Sequence, residues 1–199
     1  MRNEILDMTS PRILHYVTST HWDREWYDTF QGFRLRLVKM LDEVLDACAA
    51  DPAFRFDMDG QAIPLADYAE VRRARWPEML KRISEGRVRV GPFYVLPDEF
   101  LISGESLVRN LELGHELARE WGGVPSGAGF LCDMFGHISQ MPQVLRQFAI
   151  HSAYIWRGTS EREHGGNSRW LAPDGTGVAT HRFGWNGYCS LWFDVRENA

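Results

Sequence analysis

Two short motifs place imidazole and carboxylate groups where a metal-assisted hydrolase would need them. His21 and Asp23 lie two residues apart, directly after the apolar run 13–17. Because alternate residues leaving a strand end point the same way, these two side chains can converge on one ion. Asp133 follows a second apolar run, 128–132, in a similar position. Two such motifs at strand ends favour a metal-assisted hydrolase.

Zinc suits this set of donors. It binds imidazole nitrogen and carboxylate oxygen in a roughly tetrahedral arrangement, and a catalytic site keeps one position open. His21, Asp23 and Asp133 would then be three ligands, and cobalt or manganese would be tolerated in place of zinc. Three consecutive charges at 23–25, between two tryptophans, support this hypothesis, since buried charges without partners are costly. For His21 alone, hydrogen bonding near a strand end is the plainer interpretation.

Asp133 has two interpretations. It could cap the turn that leads into the next helix, as Asp often does. It could also be a catalytic carboxylate at the carboxyl end of a parallel strand, and we favour this because the placement repeats that of His21 and Asp23. Asp57 and Asp59, which follow another predicted strand, are expected to have no role in a site.

Asp98 and Glu99 stand in the loop after the third predicted strand. They could line the site and bind hydroxyl groups of a substrate. They could equally cap the following segment or pair with the arginines at 89 and 109. The sequence leaves both possibilities open.

The composition is that of an acidic globular protein, with 199 residues, 44% hydrophobic and a net charge of −5. The negative charge argues against nucleic acid or an anionic membrane as the main partner. No apolar stretch approaches the roughly 20 residues that a membrane span needs, and the first residues lack the apolar core of a secretory signal. Three widely spaced cysteines fit reduced thiols, so we expect a cytoplasmic protein.

Predicted strands and helices alternate along the chain. Apolar segments predict five strands: 12–18, 54–56, 88–90, 128–132 and 153–156. Spacings of three and four predict helices between them: from 30 to 48, to about 75, from 77, from 103 to 121 and from 141 to 148. Beyond 158, two short strands are expected around a turn at 173–175. Such alternation implies a parallel sheet.

The motifs together resemble glycoside hydrolase family 38, the zinc-dependent α-mannosidases, and in particular its bacterial branch. The first metal motif of that family is similar to THWDREWY at 20–27. GPFYVLPDEF at 91–100 and SGES at 103–106 resemble the bacterial members, and DMFGH at 133–137 resembles the nucleophile motif. The resemblance is continuous over 12–158 and looser through 170–175.

The resemblance implies a retaining exo-acting α-mannosidase with one zinc ion and a terminal α-mannoside, or a mannose-containing glycan, as substrate. It implies that His21, Asp23 and Asp133 bind zinc and that Asp133 is also the nucleophile. Trp26 would stack on the mannose ring with Phe135 packed close by. Arg157 would pair with the nucleophile and hold it ionised.

The resemblance also implies the fold, a seven-stranded parallel β/α barrel of which residues 1–199 would be the N-terminal portion, truncated before closure. A complete barrel of alternating strands and helices typically takes ~250 residues. The fourth zinc ligand of the family is a histidine beyond residue 199, so we expect little activity from this portion alone. An unclosed barrel edge would allow self-association. The acid/base residue is unplaced, and Asp194 is a candidate by position only.

Two departures from the family pattern leave the ligands intact. Ser19 replaces a common His, and Cys132 replaces the Pro that usually precedes the nucleophile. A metal-dependent carbohydrate deacetylase is an alternative, although the paired His-x-x-x-His ligands of such enzymes are absent from the sequence. A non-catalytic piece that binds sugar or metal is a further alternative.

Overall fold

The computed structural model describes residues 17–160, 166–184 and 187–188. Within these residues, five helices and six strands follow one another. The helices are α1 (Phe30–Ala50), α2 (Ile63–Val71), α3 (Trp76–Ser84), α4 (Gly104–Glu120) and α5 (Met141–Gln147). The strands are β1 (Phe56–Asp57), β2 (Val88–Arg89), β3 (Ala128–Leu131), β4 (Ser152–Ile155), β5 (Gly166–Leu171) and β6 (Gly177–Arg182).

The predicted alternation is confirmed from α1 to β4, and the predicted strand over 12–18 falls mostly outside the described residues. Helix α1 begins because the Thr29 side chain accepts a hydrogen bond from the Gly32 N–H. Its apolar spacing of three and four places one face in the core, and these buried residues are Phe33, Leu37, Leu41, Val44, Leu45 and Cys48.

The strands form two separate sheets. In the smaller one, β1 pairs with β2 in parallel, and Ser19 adds a parallel bridge to Asp57. In the larger one, the order is β3-β4-β6-β5. Strands β3, β4 and β6 are parallel, whereas β5 is antiparallel to β6.

The expectation of a partial seven-stranded parallel β/α barrel is therefore wrong. The described residues contain six strands in a two-stranded and a four-stranded sheet, and the larger sheet is mixed. The cause of the antiparallel pairing is local, since a short turn can only return the chain beside the strand that it leaves. The Ala172 N–H donates to the Thr176 carbonyl, and the Thr176 N–H donates to the Asp174 carboxylate, closing that turn. The predicted pair of short strands around 173–175 is thus confirmed as a hairpin.

Two contacts of α4 hold the loop that leaves the carboxyl end of β2. Gly114 in α4 packs on the loop at 91–94, where a Cβ on this residue would lie 2.3 Å from the Pro92 carbonyl oxygen. Asn110, one helical turn earlier, donates to the Val95 carbonyl and accepts from its N–H. Helix α4 therefore fixes the loop that carries Glu99.

Two apolar clusters form the core, one around α1, α2 and α3 and the other between α4, α5 and the larger sheet. Among the described residues, no helix combines the length and the apolar character that a membrane crossing requires.

Candidate metal centre

The side chains of His21, Asp23 and Asp133 meet at the carboxyl ends of the parallel strands. Their nearest ligand atoms all lie within 4.8 Å of one another. His21 Nε2 lies 3.1 Å from Asp133 Oδ2 and 3.6 Å from Asp23 Oδ1. The convergence that the two motifs predict is thus present in the structure.

Parallel pairing explains how residues far apart in the chain come together. Leu131 and Ile155 are paired in the register of β3 and β4, and Asp133 and Arg157 each stand two residues further on. They are therefore side by side past the strand ends. Ser19 and Asp57 are paired in the same way, which places His21 beside Asp59.

Asp59, for which the sequence predicts no role, contacts the cluster directly. Its Oδ2 lies 2.9 Å from His21 Nδ1 and also accepts the N–H of Trp22 at 3.2 Å. The Gln61 side chain donates to the same oxygen at 3.3 Å, and Asp59 itself is fully buried. A carboxylate on Nδ1 fixes the tautomer and orientation of the imidazole and leaves Nε2 free for a metal ion. The dipeptide Asp59-Gly60, which favours tight turns, was the one available signal.

That turn has a definite backbone geometry. Asp59 and Gly60 have φ values of 49° and 88°, and the Gln61 N–H donates to the Met58 carbonyl. Both central residues of this turn are left-handed, a conformation that glycine adopts freely and that aspartate tolerates. The turn directs the Asp59 side chain back toward His21.

The carboxyl groups around His21 favour the binding of a positive charge. Burial lowers the pKa of His21, but the hydrogen bond with Asp59 and the charges of Asp59, Asp23 and Asp133 outweigh it and raise this pKa above its ordinary value. Burial raises the pKa of Asp59 to about 6, which the hydrogen bond with His21 only partly offsets. Three carboxyl groups around one imidazole therefore favour an additional positive charge there, from a proton or from a metal ion.

The donor set fits zinc. It offers one imidazole nitrogen and two carboxylate groups, the donors that zinc takes in catalytic sites. His21 Nε2 is buried and forms no hydrogen bond with any part of the chain that the structure describes. A buried nitrogen with its second nitrogen already bonded to a carboxylate is what a histidine ligand requires.

The three charged residues at 23–25 have different surroundings. Asp23 faces the cluster, whereas Arg24 forms two hydrogen bonds with the Asp67 carboxylate of α2, at 2.7 and 2.9 Å. Glu25 is exposed. The bidentate pair fixes the segment that carries His21 and Asp23 to α2.

Arg157 contacts Asp133 twice. Its Nη2 lies 2.6 Å from Asp133 Oδ1, and its Nε–H donates to the Asp133 carbonyl at 3.2 Å. The guanidinium carbon also lies 4.1 Å from the centre of the Phe135 ring. Asp133 therefore presents one oxygen to Arg157 and the other to His21.

Aromatic residues stand in the segments that carry the cluster, and a further one, Tyr188, contacts His21. Trp26 and Phe135 are 74% and 71% exposed, and the Arg157 guanidinium covers one face of the Phe135 ring. Tyr188 packs edge-on against His21, with ring centres 5.4 Å apart, and against Trp156 at 5.5 Å. Sequence reasoning gave no role to Tyr188, since nothing in its local sequence marks it.

Glu99 matches neither interpretation that the sequence left open. It is buried, so it is closed to sugar hydroxyls, and its partner is His137. Arg109 pairs instead with Glu105 and Glu112. The Asp98 carbonyl accepts the Leu101 N–H. Asp194, the candidate acid/base residue, lies outside the described residues.

Residues 12–192 match the model of the Glycosyl hydrolases family 38 N-terminal domain. A Halalkalibacterium halodurans protein named as a mannosylglycerate hydrolase is 40% identical over an alignment of 177 residues, which covers 82% of this chain and 20% of that protein. The crystal structure of an alpha-mannosidase from Enterococcus faecalis V583 is similar over 84% of this chain and 19% of its own, with a TM-score of 0.79 and 37% identity.

A 4-alpha-glucanotransferase from Thermococcus litoralis has a TM-score of 0.61 over 85% of this chain and 27% of its own. At 13% identity, that similarity shows the fold alone. The chain spans about a fifth of the length of its mannosidase and mannosylglycerate hydrolase relatives. The family match over 12–192 and these two relatives establish that the chain belongs to glycosyl hydrolase family 38.

Proposed function

We propose that this chain carries the metal site and the nucleophile of a retaining exo-α-mannosidase that hydrolyses terminal α-mannosides with zinc. The main supporting observation is the convergence of His21, Asp23 and Asp133 around a buried imidazole nitrogen without a hydrogen bond to the described residues. Family membership supports the mannosidase part of the proposal.

His21, Asp23 and Asp133 would hold the zinc ion, with Asp59 holding the His21 ring. When bound, zinc acts as a Lewis acid that grips sugar hydroxyls and favours a flattened ring. The two carboxylates and the imidazole would be three ligands, and a catalytic zinc site keeps a further position open.

Asp133 would be the nucleophile. In the first step its carboxylate attacks the anomeric carbon, the glycosidic bond breaks, and a second carboxylic acid protonates the departing oxygen. In the second step water cleaves the glycosyl ester, regenerates Asp133 and releases mannose with its configuration retained. The contacts of Arg157 with Asp133 Oδ1 and the Asp133 carbonyl would hold this carboxylate in place.

Trp26 and Phe135 would bind the sugar. Both rings are mostly exposed and follow Asp23 and Asp133 closely in the sequence, and the apolar face of a mannose ring stacks on such surfaces. Arg157 lies over the Phe135 ring, so the arginine that contacts the nucleophile also supports this surface.

The proposal is tested by hydrolysis of an aryl α-mannoside and of mannosylglycerate, the substrate that the name of the Halalkalibacterium halodurans relative suggests. Proton NMR of the product would show α-mannose first, as retention requires. A slowly turned-over fluorinated mannosyl donor would label Asp133, and Asp133→Asn would prevent both labelling and turnover. A β-configured first product, or a label on another carboxylate, would contradict the proposal.

A further inference from the structure

Glu99 is buried, with 3% of its surface exposed, and both of its carboxylate oxygens have hydrogen-bond partners. Its Oε1 lies 2.7 Å from His137 Nδ1, and its Oε2 accepts the Ile138 N–H at 2.8 Å. The loop before α4 is thereby attached to the segment that follows Asp133.

His137 extends this connection. Its Nε2 lies 3.0 Å from the Arg157 carbonyl oxygen, which can only accept a hydrogen bond. Nε2 is therefore a donor, and Nδ1 faces the Glu99 carboxylate. The two side chains are 4% and 0% exposed, so each depends on the other as its hydrogen-bond partner.

The Arg157 carbonyl that His137 binds belongs to the residue whose guanidinium contacts Asp133. The segment has little room to shift, because Gly158 has a φ of 81° and a Cβ there would lie 2.9 Å from Gly136 Cα. The same Cβ would lie 3.1 Å from His137 Cδ2. A fixed Arg157 backbone limits where the guanidinium can reach.

We propose that Glu99, acting through His137, is a positioning residue that sets the Arg157 guanidinium against Asp133. It does not touch the ligand cluster itself. The sequence separates Glu99 from His137 by 38 residues and His137 from Arg157 by 20. The consequence for catalysis rests on the proposed function, whereas the positioning of Arg157 does not.

The hydrogen bonds predict which substitutions of Glu99 keep Arg157 in position. In Glu99→Gln, the amide oxygen can accept the Ile138 N–H while the amide N–H donates to a neutral His137, which still donates to Arg157. All three hydrogen bonds survive without the charge. Glu99→Ala removes the two hydrogen bonds that Glu99 makes and leaves His137 Nδ1 and the Ile138 N–H buried without partners.

The first measurement is the Arg157 Nε–H resonance in protein labelled with ¹⁵N-arginine, assigned by its loss in Arg157→Lys. We expect it to shift or exchange rapidly with solvent in Glu99→Ala and to stay in place in Glu99→Gln. Glu105→Ala, which removes an exposed glutamate of α4, is the matched control. An unchanged Arg157 resonance in Glu99→Ala would overturn the proposal. If that variant does not fold, Glu99→Asp decides, because its shorter side chain cannot reach both partners.

The second measurement is zinc affinity, by competition with a chromophoric chelator. We expect Glu99→Ala to weaken binding about tenfold, at the lower end of the effect of residues that orient metal ligands, and Glu99→Gln to restore it. In an Arg157→Ala background, Glu99→Ala should add nothing further, since its effect passes through Arg157. Additive losses would contradict the proposal. A wild-type protein that binds no zinc would instead contradict the proposed function and leave the NMR result to decide the role of Glu99.

Discussion

At the residue scale, the site depends as much on the partners of its ligands as on the ligands themselves. The spacing of His21 and Asp23 and the placement of Asp133 were enough to predict the cluster. Asp59 was not predictable in the same way, because its role arises from a bridge between Ser19 and Asp57 and from a left-handed backbone. Local patterns show which residues leave a strand end, but not which strand lies alongside.

Asp59→Ala should weaken zinc binding by about 10- to 100-fold, since the imidazole loses the acceptor that orients it. Asp59→Asn keeps an oxygen acceptor for His21 Nδ1–H and should cost less. Chelator competition measures both variants. Asp46→Ala, which removes an exposed carboxylate on α1, serves as the control. Equal affinities for Asp59→Ala and the wild type would show that Asp59 has no such role.

At the element scale, the order of helices and strands followed from hydrophobic periodicity, and so did the buried face of α1. What could not be predicted was the attachment of loops to helices. The salt bridge between Arg24 and Asp67 and the contact of Gly114 with the Pro92 loop each join segments that have no local relation in sequence. Such contacts position the site without belonging to it.

Gly114→Ala should destabilise the protein by about 1–3 kcal/mol, the usual cost of overpacking. The added methyl group would meet the backbone of Pro92 and Phe93, which cannot move aside as a side chain can. Gly104→Ala is the matched control, because nothing lies within 4 Å of its Cβ position and alanine favours a helix. Urea unfolding compares the two variants, and equal stabilities would refute the close approach.

Arg24→Ala should reduce the free energy of unfolding by about 1–3 kcal/mol, as expected for hydrogen bonds to a charged group. It leaves the buried Asp67 carboxylate without its bidentate partner. Arg24→Lys keeps the positive charge but cannot form the bidentate pair, so its free energy of unfolding should lie between those of Arg24→Ala and the wild type. Both variants should also bind zinc more weakly, because the segment with His21 and Asp23 is released from α2. If Arg24→Ala loses stability but keeps its zinc affinity, Arg24 does not support zinc binding.

At the scale of the whole molecule, the sequence predicted the convergence of His21, Asp23 and Asp133 but not the arrangement of the sheets. The turn at 173–175 was visible in the sequence, but neither the parallel sheet inferred from alternation nor the barrel implied by the resemblance allowed for a hairpin that makes the larger sheet mixed. Strand pairing depends on long-range contacts that periodicity does not report. The carboxyl ends of β3 and β4 nevertheless still bring Asp133 and Arg157 together, since their register is parallel.

Stability should depend on pH through Asp42, which joins α1 to α2. Burial raises the pKa of Asp42, but hydrogen bonds from Arg72 and Tyr68 outweigh it and lower this pKa below its usual value. The folded state therefore binds the proton less readily than the unfolded chain, so the stabilisation is complete above pH about 4 and is lost as the pH falls through the folded pKa. Asp42→Asn should lower the free energy of unfolding by about 1 kcal/mol at pH 7 and by less at pH 3. Urea titrations at the two pH values measure this difference, and a gap that widens in acid would be contrary to the expectation.

The most direct test of the account is the zinc content of the purified protein by native mass spectrometry after brief dialysis, alongside His21→Ala and Asp23→Ala. We predict one zinc ion per chain in the wild type, its loss in both variants, and its retention in Asp46→Ala. A wild type without zinc, or with zinc that survives both substitutions, would contradict the claim that His21, Asp23 and Asp133 form the metal centre.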